Sequence, residues 1–428
     1  MIVAYLANQF PSPVEPYVSD EIRELRRRGI HVVAGSVRRP SLATGNGEIE
    51  PDIVLQSISL GIFLRALYLS CMRWQRLSDL LWRLLSPRRE GALARAKALV
   101  HTILGACYAV LLREHKVDHI HVHHGYFGAW VAMVAARLLD VGFSLTLHGS
   151  DLLLHGTFLD LKLEECKFCF TVSEFNRQWI LQIYPTVPPG KVLVSRLGVD
   201  LKKDSRPTKR SVTDPRRLRM LAVGRLHPVK NHAFLVRACA ELQTQGVGFE
   251  CDIAGDGPER RRLARLIRNH RVQELVRLLG HVPREKMDAL YQQADLIVLT
   301  SRSEGIPLVL MEAMAHGKLV LAPAITGIPE LVVDGKTGFL YESGSMRDFI
   351  DRLLVIRSLL MAHARPDPDR QPFSGAQPLD WICHAARMQI EQHFNRKSNL
   401  ETFGDLFLTQ LTPELRSLPH ANLILQQI

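Results

Sequence analysis

The feature that most constrains the fold is a regular alternation of short apolar segments with helical patterns, which occurs twice along the 428-residue chain. In the first half, apolar segments of strand length are separated by segments with helical periodicity. These segments are IVAYLA (2–7), HVVAGSV (31–37), VDHIHVH (117–123), FSLTLHG (143–149), CFTVS (169–173) and KVLVS (191–195). Such alternation predicts a parallel sheet with helices on both faces.

A second series of the same kind follows a polar, proline-containing segment, LKKDSRPTKRSVTDPRRLR (201–219), which is typical of a linker. Its strand candidates are RMLAVGRL (219–226), FECDIAG (249–255), LVRLLGHV (275–282), ADLIVLTS (294–301), KLVLAP (318–323) and TGFLY (337–341). Ligands of such open sheets bind at the carboxyl ends of the strands.

The predicted fold is therefore α/β, with two Rossmann-like domains that face each other across a cleft. We place the N-terminal domain at 1–200, the linker at 201–217 and the C-terminal domain at 218–380. Helices in 381–428 are expected to pack back toward the N-terminal domain. The proline-rich segment 361–381 contains a DxD pair, Asp367 and Asp369, for which a surface-loop role is favoured over metal binding.

Composition and the chain start indicate a cytoplasmic protein. Hydrophobic residues make up 46% and charged residues 23%, and no apolar run reaches the length that spans a bilayer. The start, MIVAYLANQF, lacks the basic flank and cleavage site of a signal peptide. Seven scattered cysteines fit a reducing compartment, and the lone CxxC of Cys166 and Cys169 favours packing over a metal or redox role.

The formal net charge of +11 is compatible with nucleic acid, an anionic membrane or anionic small substrates. No nucleic-acid-binding motif is present, so nucleic acid is disfavoured. Segment 60–90 mixes Leu, Trp and Phe with Arg at helical spacing. Two interpretations stay open: a peripheral helix on the anionic inner face of the plasma membrane, or a core helix pair whose arginines face solvent.

The stretch SRSEGIPLVLMEAMAHG (301–317) predicts an anion site. Pro307 suits the first turn of a helix and Gly317 suits its C-terminal cap. The backbone N–H groups of Gly305, Ile306 and Leu308 would then lie at a helix N-terminus, where anions are stabilised.

Two glutamates accompany that helix start, one just before it and one inside an apolar helix. Glu304 is interpreted either as a helix cap or as a group that binds ligand hydroxyls. Glu312 is interpreted either as the partner of a nearby arginine or as a second ligand-binding carboxylate, because a buried carboxylate needs a hydrogen-bond partner.

Cations and glycines follow the first two strands of the second series. In VGRLHPVKNH (223–232), Arg225 and Lys230 are positioned to reach one anion, although two surface cations would show the same pattern. In IAGDGPERRRL (253–263), Gly255 and Gly257 allow a tight turn and close approach of the backbone to a ligand.

Histidines follow two strands of the first series. His148, in LTLHGSDLL (145–153), is expected to face the cleft, and Asp151 is expected to cap the next helix rather than orient that histidine. In IHVHHGYFG (120–128), His121, His123 and His124 suggest metal ligands, but residues on a strand cannot all converge without a bend. We therefore predict no metal site and one cleft-facing histidine, His123 or His124.

Taken in order, GRLHPVKN, AGDGPER and the segment from LGHVPREK to KTGFL resemble the retaining glycosyltransferases of family 4, which have the GT-B fold. The E-x7-E spacing of Glu304 and Glu312 is that family's mark, and the resemblance is dense over 218–345. The opening FPSPVEPYVSDEIREL (10–25) is similar to the FP-x-x-SETF-x-x-EI opening of exopolysaccharide transferases such as those making colanic acid. Glu15 matches its glutamate, whereas the rest of SETF and a glycine-rich first loop are absent.

The resemblance implies a role for each of these residues. Glu304 would contact the donor sugar and Glu312 the ribose, while Arg225 and Lys230 would hold the diphosphate. The 305–308 backbone, including Pro307, would cradle phosphate and sugar, with Gly257 nearby. His148 would stabilise the transition state or orient the acceptor, with Glu15 and His124 on the acceptor side. Glu330, in GIPELV, would lie near the donor or simply start a helix.

The implied reaction is transfer of a hexosyl group, with retention, from a UDP- or GDP-sugar to a hydroxyl of a lipid-linked or growing polysaccharide acceptor. It would need neither a metal nor another cofactor. An interfacial 60–90 segment would favour a polyprenyl-linked acceptor. The alternative is a GT-B-fold sugar-nucleotide epimerase. A non-catalytic sugar-nucleotide-binding module fits the residues less well, and an oxidoreductase is disfavoured because no GxGxxG follows the first strand.

Overall fold

The computed structural model describes residues 1–12, 15–39, 49–86, 90–153, 156–201, 217–364 and 378–412. The chain forms two compact units. Unit 1 comprises Met1–Arg196 and Ser398–Ile428, and unit 2 comprises Leu197–Lys397. Most of the predicted linker, and the predicted pair Asp367 and Asp369, lie outside the described residues.

Unit 1 is built on a parallel sheet of seven strands. They are β1 (Ile2–Gln9), β2 (His31–Arg38), β3 (Ile53–Val54), β4 (His119–His123), β5 (Gly142–Leu147), β6 (Cys169–Thr171) and β7 (Val192–Val194). Their order across the sheet is β3-β2-β1-β4-β5-β6-β7. The chain builds outward from β1 in one direction and from β4 in the other, so the topological switch point lies between these two strands.

Eight helices of unit 1 precede the unit boundary in the described residues. They are α1 (Pro16–Arg27), α2 (Leu60–Met72), α3 (Ser78–Leu85), α4 (Ala92–Arg113), α5 (Phe127–Leu139), α6 (Ser150–Leu153), α7 (Leu159–Glu165) and α8 (Glu174–Ile183). Helix α5 is buried along almost its whole length. Gly105 of α4 permits close packing there, because a Cβ at this position would lie 2.6 Å from the Cβ of Val134.

The length and apolar composition of helix α4 contradict our expectation that no apolar segment is long enough to cross a bilayer. Its 22 residues are, by length and composition alone, sufficient to span a membrane, which among the described helices is true of α4 only. Within its most apolar window, 44% is buried inside the protein. Its apolar character therefore serves at least partly to cover α5.

Unit 2 contains the second parallel sheet. Its strands are β8 (Leu218–Val223), β9 (Phe249–Ala254), β10 (Val276–Gly280), β11 (Leu296–Val298), β12 (Leu319–Pro323) and β13 (Phe339–Tyr341). Its helices are α9 (His232–Thr244), α10 (Arg260–Asn269), α11 (Arg284–Gln293), α12 (Leu308–Ala315), α13 (Ile328–Leu331), α14 (Met346–Ala364) and α15 (Pro378–His393). The order β10-β9-β8-β11-β12-β13 places the switch point between β8 and β11.

The last two helices are divided between the units, whereas we expected both to pack toward the N-terminal domain. Helix α15 buries Ala386 and Ile390 in the core that also contains α12 of unit 2. The following helix, α16 (Arg396–Leu411), buries Phe403 and Phe407 in unit 1. Arg28, the residue that follows α1, contacts α16, since its Nη1 lies 2.5 Å from an Asp405 oxygen.

The two cysteines of the CxxC segment lie at the start of β6 and just before it, and both are buried. The thiol of Cys166 donates to the carbonyl of Leu163 and that of Cys169 to its neighbour Phe170. Burial raises the pKa of both thiols, that of Cys166 to about 12. This environment suits packing groups, because a reactive cysteine requires a thiolate.

Candidate active site

In unit 2, the loops that follow β8 and β11 meet at the switch point. The Arg302 N–H donates to the carbonyl of Val229 at 2.8 Å, and the Thr300 hydroxyl donates to the carbonyl of Lys230 at 3.0 Å. These contacts bring the predicted residues Lys230 and Glu304 together, with 2.6 Å between Nζ and Oε1. Their side chains are only 26% and 11% exposed, so the pair is partly desolvated.

Arg225 lies in the same loop after β8 and is exposed. Its side chain forms no hydrogen bond or ion pair with any residue in the described part of the chain. This edge of the sheet therefore carries one cation that is shared with a carboxylate and one that is available to an anion.

The glycines of the loop after β9 serve contacts within the protein. Gly255 and Gly257 have φ values of +146° and +155°, and added Cβ atoms would lie 2.0 Å from the Gly224 carbonyl oxygen and 2.5 Å from that of Leu226. We predicted that Gly257 allows the backbone to approach a ligand closely. In the structure, the backbone at Gly257 lies close to the loop after β8. Both glycines hold the two loops together and so shape the edge that carries Arg225 and Lys230.

Helix α12 begins at Leu308, so Pro307 precedes the helix instead of lying in its first turn as we predicted. The first helical hydrogen bond runs from the Leu310 N–H to the carbonyl of Pro307. Ahead of it, the N–H groups of Gly305 and Ile306 have no acceptor among the described residues. After the helix, Gly317 has a φ of +65° and allows the chain to turn away, as predicted for the C-terminal end.

Glu312 has a partner that we did not predict. The hydroxyl of Tyr291 on α11 donates to Oε2 of Glu312 at 2.7 Å, where we had considered an arginine. Burial raises the pKa of Glu312, and the tyrosine hydrogen bond and the more distant charges of Arg284 and Arg396 partly offset that effect. Glu304 likewise is not a helix cap, because its carboxylate bonds Lys230.

In unit 1, a chain of hydrogen bonds leads to His148 from the switch point between β1 and β4. Oε2 of Glu21 accepts from the Tyr5 hydroxyl at 2.7 Å and lies 2.8 Å from Nε2 of His123. Nδ1 of His123 lies 3.0 Å from Nε2 of His148. The ring of Tyr17 packs against His148 with 4.7 Å between ring centroids.

We expected that the histidines of this strand could converge only if the chain bends. The backbone bends at His124, which has a φ of +69°. Its Nε2 lies 3.0 Å from Oε1 of Glu15, and its Nδ1 lies 3.6 Å from Oδ2 of Asp151. Burial alone would lower the pKa of His124, but the nearby charges of Asp151 and Glu15 and the hydrogen bond to Glu15 raise it to about 10. The two carboxyl groups likewise have lowered pKa values, despite burial, because of His124.

The same bend brings His124 against His148, with 4.6 Å between ring centroids. Burial lowers the pKa of His148 well below its ordinary value, and the charge of His124 acts in the same direction. At neutral pH the site therefore combines a protonated His124 with a neutral His148.

Asp151 is not the helix cap that we expected. It lies within α6, and its carboxylate accepts backbone N–H groups of Gly125 at 2.9 Å, Gly149 at 2.8 Å and His148 at 3.1 Å. A buried lysine completes this support, since Nζ of Lys162 donates to the carbonyls of Gly125, Tyr126 and Thr157. Both side chains orient the two loops that carry His124 and His148.

One buried group in unit 1 has the composition of a metal site. Ligand atoms of Glu21, His121 and His123 lie within 4.8 Å of one another. However, Nδ1 and Nε2 of His121 already lie 2.7 and 3.0 Å from the hydroxyls of Ser144 and Thr146. The nitrogens and carboxylate that a metal would need are therefore engaged in hydrogen bonds.

Segment 60–90 and the start of α4 carry a large share of the exposed apolar side chains. We define the 60–103 surface by the following residues: Leu60, Leu64, Leu67, Tyr68, Met72, Trp74, Trp82, Leu85, Leu93, Val100 and Ile103. Those on α2 recur at helical spacing and so share one face. Among the cations of the segment, Arg73 and Arg76 pair with Asp140, and Arg83 pairs with Asp160.

Comparison with known proteins supports this description. Residues 14–203 match the family model "Glycosyltransferase Family 4", and residues 205–359 match "Glycosyl transferases group 1". The chain is 30% identical over 333 residues to the putative colanic acid biosynthesis glycosyltransferase WcaL of Escherichia coli, covering 74% of this chain and 75% of that protein. It is 35% identical over 229 residues to WcaL of Salmonella typhimurium, a match that spans about half of each chain, 52%.

Among solved structures, Anabaena HepE in complex with UDP and glucose matches 96% of this chain and 100% of its own, with a TM-score of 0.64 and 18% identity. Together with the two parallel sheets, this match defines the fold of the GT-B glycosyltransferases. More narrowly, the chain belongs to glycosyltransferase family 4.

Proposed function

We propose that this glycosyltransferase moves a hexosyl group from a nucleoside-diphosphate sugar to a hydroxyl of a lipid-linked or growing polysaccharide acceptor, with retention of anomeric configuration. The observation that carries the proposal is the set of groups at the switch point of unit 2. Arg225 and Lys230 offer positive charge, and the N–H groups of Gly305 and Ile306, which have no acceptor among the described residues, offer hydrogen-bond donors. Glu304 can accept hydrogen bonds from hydroxyls. A diphosphate flanked by sugar rings matches this chemistry.

In this proposal the departing diphosphate is stabilised by Arg225, Lys230 and the N-terminus of α12. Lys230 has three N–H donors, so it can bind a phosphate oxygen while it remains close to Glu304. The same cations make a metal unnecessary for neutralising the diphosphate, which we therefore propose is released without one. Glu312, held by Tyr291, binds the ribose hydroxyls.

Unit 1 is proposed to supply the acceptor-side groups. His148 is neutral and presents a ring nitrogen that can accept a hydrogen bond from a sugar hydroxyl. Glu15 and the protonated His124 are proposed to position the acceptor, because Glu15 keeps a second carboxylate oxygen beyond its bond to His124. The related WcaL proteins are named for colanic acid biosynthesis, and this supports an exopolysaccharide as the product.

Contact with an anionic cytoplasmic membrane through the 60–103 surface is a second part of the proposal. The exposed fractions of Trp82 and Trp74 are 72% and 56%, and aromatic side chains of this kind are enriched at membrane interfaces. Because Arg73, Arg76 and Arg83 are paired within the protein, the apolar side chains would supply most of the attraction. Arg65 and Lys97 are exposed and have no ion-pair partner among the described residues.

The transfer reaction is tested by incubating the protein with a UDP- or GDP-hexose and a polyprenyl-diphosphate-linked sugar, in the presence of EDTA. The proposal predicts release of the nucleoside diphosphate and a product whose anomeric proton coupling matches that of the donor. An inverted product, or a reaction abolished by EDTA and restored by a divalent cation, would contradict the mechanism. Interconversion of the donor into another sugar nucleotide would support the epimerase alternative instead.

A further inference from the structure

We infer that Glu21 and His123 are positioning residues that fix His148 in a single tautomer, with the lone pair of its Nδ1 directed to substrate. The inference deepens the proposed function, because it concerns the atom that His148 offers to the sugar or the acceptor. It is carried by the chain of buried hydrogen bonds from Tyr5 to His148 in unit 1.

The side-chain carboxylate of Glu21 determines which nitrogen of His123 carries the proton. Glu21 lies on α1 and is 4% exposed, and its Oε2 is shared by the Tyr5 hydroxyl and Nε2 of His123. An ionised carboxylate only accepts hydrogen bonds. The proton of His123 must therefore lie on Nε2, where it donates to Glu21.

In a neutral imidazole ring, one nitrogen donates a hydrogen bond and the other accepts one. With its proton on Nε2, His123 has a lone pair on Nδ1. The neighbouring atom, 3.0 Å away, is Nε2 of His148, which must then carry the proton that completes this bond. The carboxylate of Glu21 thereby determines which nitrogen is the donor and which is the acceptor in the rings of His123 and His148.

The other ring nitrogen of His148, Nδ1, is the atom that can contact a substrate. With its proton on Nε2, the neutral ring has a lone pair on Nδ1, and this nitrogen has no hydrogen-bond partner in the described part of the chain. The ring is held by Tyr17, and its backbone is held by Asp151 and by the Asn176 amide, which donates to the His148 carbonyl at 3.2 Å. Nδ1 is thus a fixed acceptor for a hydroxyl of the substrate.

The charge on His123 decides between two opposite polarities. A protonated His123 would donate from both nitrogens and would force the His148 proton onto Nδ1, which would then be a donor. A His123 ring with one proton leaves Nδ1 of His148 as the acceptor, and the measurement described below distinguishes the two polarities. The charged and titratable groups around the two rings are Tyr5, Glu15, Tyr17, Glu21, His121, His124 and Asp151.

The experiment is long-range ¹H–¹⁵N NMR of the histidine rings in the full, substrate-free chain at pH 7.5, with EDTA present and with the His148 signals assigned by His148→Asn. We expect a protonated Nε2 and an unprotonated Nδ1 for His148. The opposite tautomer, or a ring protonated on both nitrogens, would overturn the inference. Because no activity is measured, this result is independent of whether the chain transfers a hexose.

Two variants on α1 separate positioning from folding. Glu21→Gln removes the charge and can itself donate to His123, so the single His148 tautomer should give way to a mixture or to its opposite. Glu24→Gln, whose carboxylate pairs with Arg27 and Arg28, serves as the matched control and should leave the His148 signals unchanged. In the transfer assay, kcat of Glu21→Gln should fall about 10- to 100-fold with the donor KM unchanged. An unchanged His148 spectrum in a folded Glu21→Gln protein would refute the role of Glu21.

Discussion

Nζ of Lys230 lies 2.6 Å from Oε1 of Glu304, so the proposed diphosphate-binding cation and the proposed sugar-binding carboxylate are bonded to each other before any ligand arrives. The bond joins the loops that follow two neighbouring strands, β8 and β11, at the switch point of unit 2. It holds both side chains at the edge where ligands of such sheets bind.

Lys230→Met should weaken binding of a nucleoside diphosphate by about 10- to 100-fold, because a hydrogen bond to a charged group contributes about 1.5–3 kcal/mol. Isothermal titration calorimetry with UDP and GDP measures the change. Lys336→Met removes an exposed lysine elsewhere in unit 2 and is the matched control. Equal affinities for the wild type and Lys230→Met would remove Lys230 from the site.

Tyr291→Phe removes the hydroxyl that donates to Glu312 and should raise the donor Kd about fivefold, the equivalent of about 1 kcal/mol for one hydrogen bond. Its kcat should change little, since the ribose lies away from the reacting bond. Tyr341→Phe is a suitable control, because that hydroxyl is also buried in unit 2 but donates to the carbonyl of Leu299 at 3.2 Å. A loss of kcat in Tyr291→Phe without a change in Kd would contradict the role assigned to Glu312.

The stability of unit 1 should depend on pH through His124. Its pKa is raised from 6.5 to about 10, so its contribution is complete below pH 6.5 and is lost as pH rises toward 10. His124→Asn should therefore lower the free energy of unfolding more at pH 6 than at pH 10, with a loss on the order of 3 kcal/mol at the lower pH. Urea unfolding at both pH values gives the comparison.

The control for this experiment is His31→Asn, since His31 is exposed at the start of β2. It should show no comparable pH-dependent loss. A His124→Asn protein whose deficit is the same at both pH values would argue that His124 is neutral in the folded protein.

Membrane binding should depend on the exposed tryptophans of the 60–103 surface. Replacing Trp74 and Trp82 together by alanine should move most of the protein out of the floating fraction in a flotation assay with anionic vesicles. Trp381→Ala is the control, because Trp381 is 48% exposed but lies in unit 2. Since several arginines are paired internally, raising the salt concentration should have a smaller effect than the double substitution. Failure of the wild type to float would contradict the proposed contact.

Much of the fold was predictable from local patterns. All twelve strand candidates correspond to strands in the described residues, because buried parallel strands are short, continuous apolar segments. The strand β3 was not predicted, since two residues carry no periodicity. The division of α15 and α16 between the units was also missed, because an apolar helix face does not show which core it will join.

The arrangement of the candidate site was predictable where its residues lie close together in the sequence. The Glu304 and Glu312 spacing and the cations after β8 were visible in this way. The partners Tyr291, Glu21 and Tyr5 were not, because each reaches its site from a different element through a contact that spacing along the chain does not reveal. The bend at His124 was recognised as a requirement, but the backbone conformation that supplies it shows only in the structure.

The proposed donor site is tested most directly by a thermal-shift measurement with UDP, GDP, ADP and their sugars in the presence of EDTA. The proteins compared are the wild type, Glu312→Ala and Lys230→Met. A ligand at a hundred times its Kd stabilises the folded protein by about 2.7 kcal/mol, which is readily seen. UDP or GDP and its sugar should stabilise the wild type, and both variants should lose most of this shift. Absence of a shift with every nucleotide, or equal shifts in all three proteins, would contradict the proposed donor site.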